Sequence, residues 1–589
     1  MEDRLSFAWS AAQRTVSAGR IGTPVALRLM DYSQPDHGRL PALLAWHADR
    51  ACTLLEAEPA LVWAGGRPTS GQIDVQIRGS QGQSLLLSAG ALAHEAPPVE
   101  LTVIGQRGIA CWQPDDLPLD PANARPRVAE LVRVPPGGSG GSLTTSATAG
   151  LPPSDAELSA RGRDLLQAIS HSLETGVASP PGAARPAAGR PQTLEITAIA
   201  EQPKRQASPS GARPLGVLLI SGGQTHQEMY APAFAADPRC RLIGLTDEND
   251  VSPRRRALNE QLAQSLGIPL LASLDDALAR TDVHVVSVCA EPERRARVIQ
   301  RVLAAGKHLY LDKPLAATID EARRIRAQAQ ASGVCSQMFS LVHSPAAERV
   351  RAVLESGRLG ELLAVHCDLF FAKGPAGTAS FGEPRRESAH PTTFEALESK
   401  RELYNIGVYP LAMLAWLLNK KVRRVFATTG NYFFAEHQRN DMEDFAQASL
   451  EFDDGITATM CVGRTGWHSH PAGGVQRTWL IGTRGTACID AYRPRLEVWS
   501  DEPAWPTPAR SPEDPMGFWT STGRAVGIAA KQAWLAPSDE HADVRHFVDC
   551  LTAGHASDLP AEYAADALEA LLAAYQSAAA GQPISIARR

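Results

Sequence analysis

From residue 215 onward the hydrophobic pattern alternates. Four runs are apolar almost throughout: LGVLLIS (215–221), CRLIGLTD (240–247), DVHVVSVCAE (282–291) and HLYLDKP (308–314). Stretches with helical spacing separate them: one ends at Ala236, others cover about Pro253–Leu266 and Arg294–Ala305, and one runs over 318–332 ahead of a last strand at Cys335–Leu341. Strands without a polar face belong to a parallel sheet covered by helices on both sides. Residues 213–340 are therefore expected to be a doubly wound α/β nucleotide-binding domain. Beyond residue 343 a helix (Pro345–Ser356) precedes the strand ELLAVHCDLFF, and another helix lies within NIGVYPLAMLAWLL (405–418). Longer strands follow, and Asp454-Gly455 marks a hairpin between two of them. Residues 341–589 read as an α+β domain with an open, mainly antiparallel sheet.

The first 178 residues echo that second domain. Gly19-Arg20-Ile21-Gly22 resembles Gly357-Arg358-Leu359-Gly360, and IGQRGIAC (104–111) matches IGTRGTAC (481–488) at six of eight places. LLQAISHSLETG (165–176) resembles ALLAAYQSAAAG (570–581), and residues 46–66 align without gaps on 409–429. The echoes keep one order, so residues 1–178 are expected to be a degenerate copy of the C-terminal domain. Residues 134–153 read as a flexible loop. The Pro/Ala/Gly-rich stretch 179–212 reads as a linker with a short strand at Leu194–Ile199.

Composition narrows the function. The chain has 589 residues, 58 Lys+Arg against 64 Asp+Glu, and a net charge of −6. That disfavours nucleic-acid or membrane binding through bulk charge. No leader pattern and no long apolar run is present, and the nine cysteines are scattered without CxxC spacing. A cytoplasmic protein without disulfides or structural zinc is expected.

Three motifs carry chemistry. Ser221-Gly222-Gly223-Gln224-Thr225-His226 follows the first strand, where glycines let a pyrophosphate approach a helix N-terminus. Asp247 ends the second strand, where a carboxylate can accept from ribose hydroxyls. That favours NAD, with NADP possible because Arg254, Arg255 and Arg256 lie nearby. Glu291 closes the third strand as a further candidate cofactor contact. Asp312-Lys313-Pro314 places a lysine at the carboxyl edge of the sheet, facing the ligand crevice. Asn405-Ile406-Gly407-Val408-Tyr409 opens the apolar helix of the second domain.

With ADPRCRLIGLTD, AGKHLYLDKPLA and NIGVYPLAMLAWLL in place, residues 213–589 resemble the glucose–fructose oxidoreductase/inositol dehydrogenase (Gfo/Idh/MocA) family. The resemblance implies a Rossmann-type domain that binds NAD or NADP, followed by an α+β substrate domain whose open sheet commonly forms the oligomer interface. It implies that Lys313, Pro314 and Tyr409 face the nicotinamide and that a sugar, polyol or related small molecule is oxidised or reduced. Asp312 stands where the family usually has Glu, Asn405 where it has Asp, and Tyr409 where it often has His. Lys313, Tyr409 and Asn405 are the expected catalytic residues: Tyr409 takes or gives the hydroxyl proton with its pKa lowered by Lys313, which also hydrogen-bonds the substrate oxygen as charge develops.

Arg401, His468 and His470 are weaker candidates for substrate contact, and no metal site is expected. Asp441, Glu443 and Asp444 read as turn and edge charges. Trp46 aligns with Tyr409, Leu44 with Gly407 and Ala42 with Asn405, so the first copy should be catalytically silent. It is expected to pack sheet to sheet on the C-terminal domain as an intramolecular pseudo-dimer, with further homo-oligomerisation open. The alternatives are a nicotinamide-dependent glycosidase and a non-catalytic cofactor- or sugar-binding scaffold.

Overall fold

The computed structural model describes residues 4–32, 37–67, 71–92, 99–112, 158–181, 214–223, 225–340, 342–371, 378–380, 391, 401–465, 474–490, 495–500, 531–534 and 541–586. The expected strand at Leu194–Ile199, and His468, His470 and Gln224, lie outside the described residues.

The first unit comprises α1 (Arg4–Ser17), β1 (Pro24–Asp31), α2 (Leu40–Leu54), β2 (Pro59–Arg67), β3 (Gln72–Gly79), β4 (Ser84–Gly90), β5 (Val99–Gly105), β6 (Gly108–Trp112) and α3 (Ala160–Thr175). The second comprises β7 (Leu215–Ile220), α4 (Gln227–Ala236), β8 (Cys240–Thr246), α5 (Pro253–Leu266), α6 (Leu274–Ala279), β9 (Val285–Val288), α7 (Pro292–Ala304), β10 (His308–Leu311), α8 (Ile319–Ser332) and β11 (Ser336–Met338). Its sheet runs β11-β10-β9-β7-β8 and every pairing is parallel, as the unbroken apolar runs require. Val217, Leu218, Leu219 and Ile220 are fully buried between the helices. Observed β9 and β11 are shorter than their apolar runs, because ladder pairing stops before the run does.

The third unit comprises α9 (Pro345–Glu355), β12 (Leu362–Phe371), α10 (Glu402–Ile406), α11 (Val408–Leu418), β13 (Val422–Gly430), α12 (Ala435–Arg439), β14 (Phe445–Phe452), β15 (Thr457–Arg464), β16 (Gly474–Gly482), β17 (Gly485–Asp490), β18 (Arg495–Ser500), β19 (Lys531–Trp534), α13 (Ala542–Ala553), α14 (Ala561–Ala580) and β20 (Ile584–Ser585). The helix expected within 405–418 is α11, and Gly407 joins it to the short α10 before it. Glu443 and Asp444 are not edge charges but fully buried. Asp444 accepts the N–H groups of Tyr432, Phe433 and Phe434, and Glu443 accepts from Arg401, Leu403 N and the Tyr575 hydroxyl. A buried carboxylate needs such donors, and adjacency in sequence does not reveal them.

The first and third units share one sheet plan. The first has the order β2-β3-β4-β1-β5-β6, and the nine-stranded sheet of the third, β20-β13-β14-β15-β12-β16-β17-β18-β19, contains the same run as β13-β14-β15-β12-β16-β17. In both, the first strand is parallel to one neighbour and antiparallel to the other. Ala26 pairs with Ser84 and Ile104, and Ala364 pairs with Thr457 and Ile481. A register shift precedes Ala26 and Ala364 alike, and another precedes Leu61 and Arg424. Gly19 and Gly22 have φ of +66° and +71°, and Gly357 and Gly360 have +71° and +72°. Only glycine adopts these angles without strain, which is why this echo persists in the sequence. Ser172 accepts the N–H of Ala64 at 2.9 Å, and Ser577 accepts that of Ala427 at 3.1 Å.

The two sheets touch. Trp63 stacks on Phe426 with ring centroids 5.0 Å apart, Arg28 pairs with Asp368 at 3.2 Å, and the Tyr32 hydroxyl lies 2.7 Å from His366 Nε2. Among the described residues no helix is long and apolar enough to cross a membrane.

Candidate active site

Lys313 follows β10 at the carboxyl edge of the parallel sheet, where ligand crevices open. Its Nζ donates to Asn405 O and to Asn405 Oδ1, each at 2.6 Å, and lies 4.9 Å from the centre of the Tyr409 ring. Lys313 is buried, and loss of hydration lowers its pKa to about 8 against the opposing pull of Asp312 and Glu402. The lysine sits over the face of the Tyr409 ring. Tyr409 is held edge-on by Phe339 and Phe371. Asn405 Nδ2 donates to Glu402 Oε2 at 3.3 Å, and Glu402 accepts from Arg464 at 2.6 Å.

Asp312 anchors the lysine from behind. Its Oδ1 accepts from the Tyr230 hydroxyl at 2.9 Å and from the Lys313 N–H at 2.9 Å, and lies 2.8 Å from His226 Nδ1. Burial opposes its charge, but His226, Arg295 and Lys313 hold its carboxyl well below the usual range. Arg295 also donates to Pro314 O. His226 thus ties the turn after β7 to the lysine motif, a link no local pattern reveals.

Further along the same sheet edge lies a charge network. Ser221 has φ of +60° and Gly223 of +78°. A Cβ on Gly222 would meet Leu262 at 2.2 Å, and one on Gly223 would meet Leu258 Cβ at 2.8 Å. The glycines therefore let α5 close on the turn. Asp247 Oδ2 accepts from Ser221 Oγ at 2.8 Å and Asn259 Nδ2 at 2.7 Å, and Arg294 grips Oδ1 at 2.5 Å and Oδ2 at 3.2 Å. Burial opposes the charge of Asp247, and Arg294 outweighs it, so its pKa is lowered. Arg294 also meets Glu291 at 2.5 Å, and Arg255 meets Glu291 at 2.5 Å while donating to Gly222 O and Gly223 O. Thr225 N–H donates to Glu228 Oε2 at 3.2 Å.

The structure thus brings together Lys313, Asn405 and Tyr409 at one end and Ser221, Gly222, Gly223, Asp247 and Glu291 at the other, with Thr225 and His226 between. Arg401 is not in this group: it pairs at 3.0 Å with fully buried Glu443. Arg294, Arg295 and Glu402 escape a reading of the sequence motifs, and so does the grip of Arg255 on the glycine turn. The Arg294-Arg295 pair at the start of α7 is the available signal, since it opens a helix at the carboxyl end of β9.

Residues 215–340 match the model of the oxidoreductase family with an NAD-binding Rossmann fold, and residues 347–488 match the GFO/IDH/MocA C-terminal domain. Residues 215–488 belong to the Gfo/Idh/MocA oxidoreductase family. Within that family, the chain is 29% identical to the dTDP-3,4-didehydro-2,6-dideoxy-alpha-D-glucose 3-reductase of Streptomyces violaceoruber, over 45% of this chain and 69% of that one. It is 25% identical to the same reductase of Actinomadura kijaniata, over 44% of this chain and 70% of that one. An NAD binding oxidoreductase structure from Klebsiella pneumoniae, 20% identical, aligns over 64% of this chain and all of that one with a TM-score of 0.48.

Membership of the Gfo/Idh/MocA family implies a nicotinamide dinucleotide, and the residues present fit one. The turn after β7, the acid after β8 and the lysine after β10 share one edge of the sheet.

Proposed function

We propose that this protein is an NAD(P)-dependent oxidoreductase acting on a hydroxyl or keto carbon of a sugar, polyol or related ring. The carrying observation is a buried lysine of pKa about 8 held by Asn405 beside Tyr409. When bound, the nicotinamide supplies the hydride acceptor or donor. Lys313 holds the substrate oxygen and moves its proton. In oxidation the neutral amine takes the hydroxyl proton as the carbon loses hydride, and in reduction the ammonium returns it. Asn405 fixes the amine and Tyr409 walls the ring. The substrate class follows the names of the relatives, two of which are dTDP-sugar 3-reductases. The test is a panel of nucleotide sugars, sugars and polyols with NAD and NADP, followed by the absorbance of the reduced cofactor. Turnover that survives unchanged in Lys313→Ala would overturn the assignment.

A second reading is a non-catalytic scaffold that binds cofactor or sugar, and Asp247, whose oxygens are already taken by Ser221, Asn259 and Arg294, favours it. Binding of NAD or NADP with no turnover across the sugar panel separates it from the oxidoreductase.

We also infer that residues 1–178 are a degenerate copy of the 341–589 domain, joined by 179–212 to the 213–340 domain, and that they take the place of an oligomeric neighbour. The shared strand order and register support this. All nine cysteines are free, which suits the reducing cytoplasm.

A further inference from the structure

In a two-fold interface built from identical surfaces, each residue on the axis meets its own copy. The strand registers allow that relation to be read inside this chain. With Leu61 matched to Arg424, Trp63 matches Phe426. With Arg78 matched to Glu451, Gln76 matches Ser449. With Ile104 matched to Ile481, Glu100 matches Arg477. Each matched pair is also a contact across the sheets. Trp63 stacks on Phe426 at 5.0 Å, Ser449 Oγ donates to Gln76 Oε1 at 3.4 Å, and Arg477 donates to Glu100 at 2.6 Å. Arg28 and His366, also matched, both bond to the hydroxyl of Thr459. These contacts lie on β2, β3, β1 and β5 in turn, so an approximate two-fold axis runs across both sheets between them.

The matched residues are unlike. Glu100 is 1% exposed at its side chain and Arg477 13%. In a symmetric pair of either surface, the same position would bury Glu against Glu or Arg against Arg. A like-charge pair in a dry interface is strongly repulsive. Arg28 adds to this, since its partner Asp368 stands at the position of Met30 in the first unit and would be missing from a pair of first units. We infer that the two sheet faces are complementary to each other and not to themselves. The sheet of the oxidoreductase half accepts the first unit of its own chain and rejects the same sheet of a second chain, which fixes one active site per interface. This rests on the reading of residues 1–178 as a copy.

The test is a charge-reversal cycle in the full chain: Glu100→Arg, Arg477→Glu and the double reversal. Each single reversal is expected to lower the thermal midpoint by several degrees and the double to recover most of the loss, with the native mass by light scattering unchanged in all four proteins. Should a reversal prevent folding, Glu100→Gln and Arg477→Gln complete the same cycle. A double variant whose loss equals the sum of the singles would show that the residues do not face each other, and the copy reading would lose its interface too. Coupling together with a wild-type dimer that Arg477→Glu dissociates would leave the copy reading standing and overturn this inference alone.

Discussion

The first and third units carry the same six-strand frame, yet only one carries the candidate active site. On the third unit, α11 carries Tyr409 as its second residue, and the neighbouring parallel-sheet domain sets Lys313 above its ring. On the first, α2 has Trp46 in the matching place. Trp46 there lies against Arg50, whose guanidinium sits 4.7 Å from the ring centre, and the next residue, His47, pairs with Asp31 at 3.0 Å in a fully buried site. The sheet frame is thus separable from the chemistry. Strand order and glycine turns keep the frame, while a second domain supplies the reactive group.

The sharpest break between the units is therefore predicted at the lysine. Lys313→Ala should lower kcat by on the order of 10²–10⁴, whereas Trp46→Ala should leave kcat unchanged, both measured by steady-state kinetics on a turned-over substrate. The pH profile tests the same role. Because burial lowers the Lys313 pKa to about 8, the neutral amine predominates above that pH. Oxidation should gain rate as pH rises through about 8 and reduction should lose it, and Lys313→Ala should erase that limb.

The first unit should matter to stability instead. His47→Ala removes the hydrogen-bond partner of buried Asp31 and should cost about 1–3 kcal/mol, read as a lower denaturation midpoint. The same change has no counterpart at Pro410, its match in α11. Where the frames agree, the costs should agree. Ser172→Ala and Ser577→Ala each strand a buried N–H, that of Ala64 or Ala427, and should each cost about 1–3 kcal/mol. Unequal losses would mean that the two frames are not packed alike.

Much of this architecture is legible in the amino-acid sequence. The parallel strands of residues 215–338 announce themselves because a doubly covered sheet needs apolar residues on both faces. The echo between the first and third units includes turns where backbone geometry favours glycine, as at Gly357 and Gly360. What the chain hides is long-range. Glu443 and Asp444 look like surface charges, because the N–H groups that satisfy Asp444 come from residues ten to twelve positions earlier. The facing of Glu100 and Arg477 is set only when two distant sheets meet. Arg401 looks available for substrate, and its partner Glu443 lies 42 residues away.

Arg294 is the case where sequence and structure pull apart most usefully, and its effect is the smallest predicted. Asp247 alone reads as a ribose acceptor that repels a 2′-phosphate. Arg294 changes both properties, since it occupies the two carboxylate oxygens and places a cation beside them. Binding NAD through Asp247 must displace that grip, whereas a 2′-phosphate would find the charge already balanced. Arg294→Ala should then free Asp247 and remove the cation together. The ratio of NADP to NAD dissociation constants should rise by about tenfold, equivalent to one charge-assisted hydrogen bond, measured by fluorescence titration of the full chain. A ratio that does not move would mean that the ribose is read elsewhere and that Asp247 serves only to hold Ser221, Asn259 and α7 together.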